Sequence, residues 1–171
     1  MHYSNLVIIK KTDDVEAAVK QAMGAPEGQG GFWDWYQIGG RWTGALDGYD
    51  PETDPANLKT CTLCGGSDDR KAEWKAEMKG CNGCHGTGKQ VEWPTQWKMR
   101  AGDIQPIESL TQEQLDKFFR IVTPWARTFG GEEYLPWKPS GEMFRERETP
   151  PLDWLKKEYP GYLVVVVDNH S

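Results

Sequence analysis

Four cysteines arranged as two Cys-x-x-Cys pairs limit what this chain can fold into more than any other feature. Cys61 and Cys64 form the first pair and Cys81 and Cys84 the second, and the chain has no other cysteine. A Cys-x-x-Cys turn offers two thiolates from one tight bend, and two such turns close a four-sulfur cage. A tetrahedral zinc ion in structural sites takes such a cage, with metal–sulfur distances of about 2.3 Å. The expectation is one zinc held by Cys61, Cys64, Cys81 and Cys84. Four thiolates leave no open coordination position, so the ion is structural and not catalytic. The alternative, two disulfides in a secreted domain, suits neither the paired spacing nor the lack of a leader-like stretch ahead of it. The expected location is a reducing cytoplasm. His85 follows a ligand directly, and with four thiols at hand it reads as an exposed neighbour of the site.

The second pair continues as Cys81-Asn82-Gly83-Cys84-His85-Gly86-Thr87-Gly88. This resembles the CxxCxGxG repeat in the cysteine-rich zinc region of DnaJ-type chaperones. The first pair matches in part, with Asp68 where the last glycine would stand. The resemblance implies a zinc knuckle. It covers two repeats where those chaperones have four, and the chain lacks their J-domain, so it does not imply a co-chaperone.

At 171 residues the chain is long enough for one domain with a small insert, or for one and a half domains. The reading is a core domain of residues 1–58 and 90–171, with residues 59–89 as an inserted zinc lobe. Nine tryptophans against a mean hydropathy of −0.72 point to a core built on aromatic rings and to long irregular connections. No apolar run approaches the roughly 20 residues needed to span a membrane.

Leu6-Val7-Ile8-Ile9 reads as a buried strand. Val15, Ala18, Val19, Ala22 and Met23 follow at helical spacing, with Thr12 as the expected cap and Gly24 as the stop. Alternation over residues 32–38 suggests an aromatic strand, broken at Gly39-Gly40. Asp50, Glu52 and Asp54 alternate as calcium loops do, but without the glycine and terminal glutamate of an EF-hand. Ser67 is placed to cap a helix running to about Lys79. A weak strand is expected around Trp97. Thr111 and Gln114 form a capping box ahead of Leu115, Phe118, Phe119 and Val122, which predicts a second helix. Residues 128–149 read as a long excursion, residues 150–158 as a short helix, and Tyr162–Val167 as the strongest strand. This order is that of an α+β fold: a small, mainly antiparallel sheet with helices on one face, for which a ferredoxin-like arrangement is the first expectation.

The segment Trp33-Asp34-Trp35-Tyr36, then Ile38-Gly39-Gly40-Arg41-Trp42 and Gly44, resembles a motif of small uncharacterised proteins of actinobacterial phages and some bacteria. The resemblance brings no mechanism with it, but it implies a role directed at a host protein or a defence system.

Three functional readings stay open. In the first the chain is a zinc-stabilised interaction protein, with Trp33, Trp35, Tyr36, Arg41 and Trp42 as candidate contact residues, because such side chains carry interface energy. In the second it is an enzyme acting on phosphates or nucleotides. Antiparallel pairing of the first and last strands would bring His2 to Asp168 and His170, with Arg41 at a nearby turn to hold an anion. In the third the zinc lobe binds nucleic acid through Arg70, Lys71, Lys75 and Lys79. Against this stand the acidic residues interleaved with them, the net charge of −6 and the negative charge of a four-thiolate centre.

Overall fold

A computed structural model describes residues 1–26, 33–67, 81–124, 128–129 and 150–171, with side chains throughout except at 128–129. The chain divides into two units, one of Met1–Tyr49 with Lys98–Ser171 and the other of Asp50–Trp97. The second is wider than the expected lobe because short 3-10 turns at Pro55–Asn57 and Pro94–Gln96 belong to it.

The first unit is built on strand β1 (His2–Ile9) and strand β8 (Leu163–His170), which pair antiparallel along their whole length. Both are apolar on two faces at once, the pattern of strands at the centre of a sheet. Leu6, Ile8, Val164 and Val166 enter one core cluster; Val7, Ile9, Val165 and Val167 enter the other. Strand β2 (Trp35–Ile38) pairs antiparallel with the last residues of β8, and β5 (Ile104–Pro106) pairs antiparallel with its beginning on the same edge. Between them the amide of Gly39 donates to the Val166 carbonyl at 2.9 Å. On the other side of β1 lies β6 (Arg120–Val122), in parallel, and then β7 (Thr128–Phe129), antiparallel to β6. One parallel pair in a mainly antiparallel sheet keeps the fold in the expected α+β class.

Helix α1 (Val15–Met23) buries Val19, Ala22 and Met23 against the second cluster. Helix α3 (Leu152–Glu158) buries Leu155 in the first. The two helices therefore cover opposite faces, where one face and a ferredoxin-like arrangement had been expected. The alternation of β1 and β8 is the cause: each face carries its own apolar row, and each row needs cover.

Two local expectations also change. Asp14, not Thr12, caps α1: its Oδ1 accepts from the Ala17 amide at 2.9 Å, while Thr12 accepts from the Asp14 amide at 3.1 Å. The Thr111–Gln114 capping box is present, but helix α2 (Gln112–Leu115) stops after one turn, and Arg120–Val122 is a strand instead of the rest of a helix. The Phe119 amide is drawn to Ser4 of β1, reaching both its carbonyl and its hydroxyl at 2.9 Å. Beyond it Ile121, Val122 and Thr123 are β-branched and favour extended backbone.

The second unit holds an antiparallel pair of strands, β3 (Leu58–Thr60) and β4 (Lys89–Val91), with both cysteine turns in the connection between Thr60 and Lys89. Trp97 ends a 3-10 turn and does not lie in a strand. The helix expected between the turns lies outside the described residues, as do Arg70, Lys71, Lys75 and Lys79, and as does the 128–149 excursion apart from β7. No helix among the described residues is long and apolar enough to cross a membrane.

Candidate metal centre and the polar end of the sheet

The two cysteine turns are built alike. The Cys61 carbonyl accepts from the Gly65 amide at 2.8 Å, as the Cys81 carbonyl does from the His85 amide at 2.6 Å. One turn on, Cys64 accepts from Ser67 at 3.1 Å and Cys84 from Thr87 at 3.0 Å. Gly65 and His85 thus occupy equivalent places, and both have positive φ, 61° and 51°. His85 is exposed and stands outside the sulfur cluster. Gly88 ties the turns together: its amide donates to the Cys84 sulfur at 3.2 Å and its carbonyl accepts from the Cys61 amide at 2.9 Å.

All four cysteines are buried, and their Sγ atoms lie within 4.8 Å of one another. Cys61 and Cys81 sulfurs are 3.6 Å apart, and Cys64 and Cys84 sulfurs 3.7 Å. Metal–sulfur bonds of about 2.3 Å in a tetrahedron give edges of about 3.8 Å, while a disulfide would need about 2.05 Å. The cluster is therefore compatible with a structural metal site made by both turns together. The Cys64 amide does most to hold the Cys61 thiol below its ordinary value, against the effect of burial. Burial pushes Cys64 up to about 11. At Cys84 burial also opposes ionisation, but the amides of Gly88 and Gly86 outweigh it and bring the thiol down to about 6.

Among the candidate contact residues of the aromatic segment, the structure separates core from surface. Trp33 and Tyr36 pack on the second core cluster, edge to face at 4.9 Å, and Trp33 Nε1 donates to the Met23 carbonyl at 2.9 Å. Burial, with the nearby Glu16 charge, raises the Tyr36 phenol above its usual value. Trp42 packs on the first cluster. Arg41 is half-buried. Trp35 is exposed, and its ring lies parallel to His170 at 6.0 Å and edge-on to His2 at 5.2 Å.

The enzyme reading named Arg41, Asp168 and His170, and the sheet register brings these residues to one end. His2 pairs with His170, and Ser4 with Asp168, across β1 and β8. Asp168 is fully buried. Its Oδ1 meets His2 Nδ1 at 3.0 Å, and its Oδ2 accepts from the Arg41 amide at 3.1 Å. Both oxygens are thus engaged inside the fold, one by His2 and one by the Arg41 amide. His170 Nδ1 lies 2.8 Å from Oδ2 of Asp34. Loss of solvent works against the Asp34 charge, but the hydrogen bond with His170 and the amide of Trp35 hold its carboxyl below the usual range. The opposite face of the same strand end carries Asn5 and Asn169, whose side-chain amides hydrogen-bond to each other in the interior.

A second buried carboxylate, Asp103, was not singled out from the sequence. It accepts from the Thr43 hydroxyl at 2.7 and 2.9 Å, from the Gly44 amide at 3.0 Å and from the Arg100 amide at 2.9 Å. The pattern around Gly102-Asp103 is weak in the sequence, so the ring of partners was not visible before folding.

No family model, curated protein or solved structure matches this chain.

Proposed function

We propose that the chain is a zinc-stabilised intracellular interaction protein, in which Cys61, Cys64, Cys81 and Cys84 hold one structural Zn²⁺. The observation that carries the metal assignment is the sulfur spacing of 3.6 and 3.7 Å inside a buried cluster, close to the edge of a zinc tetrathiolate. Zinc suits four hard-to-reach thiolates in a tetrahedral cage with no place left for substrate. The role of the ion follows from the unit around it. Among the described residues of that unit the buried hydrophobic side chains are the four cysteines and Trp97, so binding free energy of the metal becomes folding free energy of the lobe.

The interaction reading is supported by large apolar side chains on that lobe: Leu58, Leu63 and Trp93 are exposed. A lobe held rigid by a metal and bearing such side chains suits a protein partner. The likeness of the Trp33–Gly44 segment to small phage proteins supports a partner on the host side. Metal analysis of protein purified under reducing conditions should give about one zinc per chain, and a strong chelator should remove it together with the structure of residues 58–91. Protein free of zinc, or two disulfides by mass spectrometry, would sink the assignment. For the interaction, capture from bacterial lysate is compared between the parent chain and a zinc-loaded Leu63→Asp chain. A partner lost from the variant while zinc content is unchanged supports the reading. Identical captures count against it.

A further inference from the structure

The two histidines at the end of the sheet share a feature of metal-bound imidazoles. Each has its Nδ1 against a carboxylate, His2 on Asp168 at 3.0 Å and His170 on Asp34 at 2.8 Å. A carboxylate only accepts, so Nδ1 is the donor in both rings, and in the neutral ring the lone pair then lies on Nε2. The 3.1 Å approach of the Met1 nitrogen to His170 Nε2 fits the same tautomer, since that nitrogen donates and Nε2 accepts. Metal-bound imidazoles are held in this way, with the second ring nitrogen donating to a carboxylate that fixes the ring and raises its basicity.

The separation of the rings is compatible with a shared ion. Their centroids are separated by 5.2 Å and their planes by 73°. A metal–nitrogen bond of about 2.0–2.1 Å, with about 1.2 Å more to the ring centre, gives about 5.2 Å between two imidazole centroids at a tetrahedral angle. The support behind His2 is rigid: Asp168 is buried and pinned by the Arg41 amide, and the Gly40 backbone closes against it. His2 and His170 remain partly open, with side-chain exposures of 19% and 37%.

We propose that His2 and His170 form a second metal site, which takes a borderline divalent ion such as Zn²⁺, Co²⁺ or Ni²⁺ through their two Nε2 atoms. Asp168 and Asp34 act as positioning residues behind the ligands. Imidazole nitrogens favour these ions over Mg²⁺ and Ca²⁺, which want oxygen. The metal takes the His170 lone pair in place of the Met1 proton. Two protein ligands leave coordination positions for water or an anionic ligand, unlike the closed thiolate centre. The exposed Trp35 ring, edge-on to His2 and parallel to His170, walls one side.

The test uses the untagged full chain, already loaded with zinc at its cysteines, and Co²⁺ as the probe. Calorimetry should show one further equivalent bound by the parent. The visible spectrum should develop cobalt d–d bands without a thiolate-to-cobalt charge-transfer band. His2→Ala and His170→Ala should each weaken binding by 100-fold or more, whereas His85→Ala should leave it unchanged. Asp168→Asn should weaken it by about 10–100-fold. Because that buried change can damage the fold, Asp34→Asn at the surface provides an independent reading and should weaken binding in the same direction. No further equivalent in the parent, binding that survives loss of both histidines, or a thiolate charge-transfer band from the added cobalt each overturns the proposal.

Discussion

Gly40 lies against the buried carboxylate of Asp168 so closely that a methyl group on its α-carbon would stand 2.6 Å from Asp168 Cβ and 2.8 Å from Oδ2. The preceding glycine faces the other buried carboxylate: a methyl on Gly39 would stand 2.8 Å from Oδ2 of Asp103. Both have positive φ, 78° for Gly39 and 55° for Gly40. The turn between the aromatic strand and Arg41 is thus wedged between two carboxylates, and only glycine fits at either place.

Gly40→Ala should therefore act on the end of the sheet before it acts on the whole fold. The added carbon meets the buried side chain of Asp168, which its bonds to His2 and to the Arg41 amide keep from yielding cheaply. A loss of roughly 1–3 kcal/mol in urea unfolding is expected, in the range of overpacking and left-handed strain. The signature that separates this from general destabilisation is local: His2 ring resonances should shift, while those of His85 should not.

Thr43→Val tests the other wedge. It keeps the shape of the side chain and removes the hydroxyl that meets both Asp103 oxygens. The carboxylate keeps the Gly44 and Arg100 amides but loses its closest donor in a fully buried position. A cost of about 1–3 kcal/mol is expected, as for a buried polar group deprived of a partner. Unfolding indistinguishable from the parent would mean that Asp103 is not held by this hydroxyl.

Acid should weaken the first unit through Asp47. Its carboxyl is ion-paired with Arg100 at 3.0 Å, and the guanidinium lies 3.5 Å over the Tyr49 ring. Partial burial opposes the Asp47 charge, but the hydrogen bond from Arg100 and the amide of Tyr49 hold the carboxyl below its ordinary value. In the window around and below that value, near pH 4, the unfolded chain binds the proton more readily than the folded one. The stabilisation is present above this window and is lost as pH falls through it. Asp47→Asn should remove this contribution, so the variant and the parent should differ at pH 6 and converge toward pH 3. The difference at pH 6 should be on the order of 0.2–1 kcal/mol, since the pair is a third exposed and screened. Loss of metal in acid affects both chains alike and drops out of the comparison.

How much of this was legible in the sequence depends on where each signal lives. The cysteine pairs were readable because four ligands at fixed spacing are a local code. Strands β1 and β8 were readable from Leu6–Ile9 and Val164–Val167, and their pairing placed His2, Asp168 and His170 together. The fate of Phe118–Val122 was not readable. Apolar residues at helical spacing and a genuine capping box argued for a helix, but a neighbouring strand claimed the Phe119 amide. Asp103 was invisible for a related reason: its donors come from Thr43, Gly44 and Arg100, and no local pattern encodes their meeting. The aromatic segment divided into core and surface only once the sheet register had put Trp35 on the end with the histidines and Trp33 under the helix.

His85 carries a cost that its partner turn avoids. It is a non-glycine residue at φ 51°, in the place where the first turn has Gly65. A side chain in the left-handed region costs roughly 1–2 kcal/mol. His85→Gly should relieve this strain, so the metal-loaded lobe should lose its metal to a chelator more slowly than the parent. Faster loss would show that the imidazole contributes to the centre by some contact that offsets the strain.

Gly88 is the opposite case, because its conformation serves both turns at once. Its φ is 75°, its amide donates to the Cys84 sulfur, and its carbonyl accepts from the Cys61 amide. An amide aimed at a thiolate sulfur stabilises the charged form that the metal requires. Gly88→Ala forces a side chain into the left-handed region, and the backbone relaxes by turning the amide away from Cys84 or the carbonyl away from Cys61. Either movement loosens one turn against the other. The expected result is a metal affinity lowered by about tenfold, the equivalent of about 1.4 kcal/mol, with the stoichiometry still at one ion per chain. Competition against a chelator of known affinity measures it. Gly48→Ala serves as the control: its φ is also positive, at 74°, but it lies in the first unit with open space where its methyl would stand. It should lower stability without changing metal affinity. If both variants lose metal equally, the effect of Gly88 is general strain and not its two hydrogen bonds to the cysteine turns.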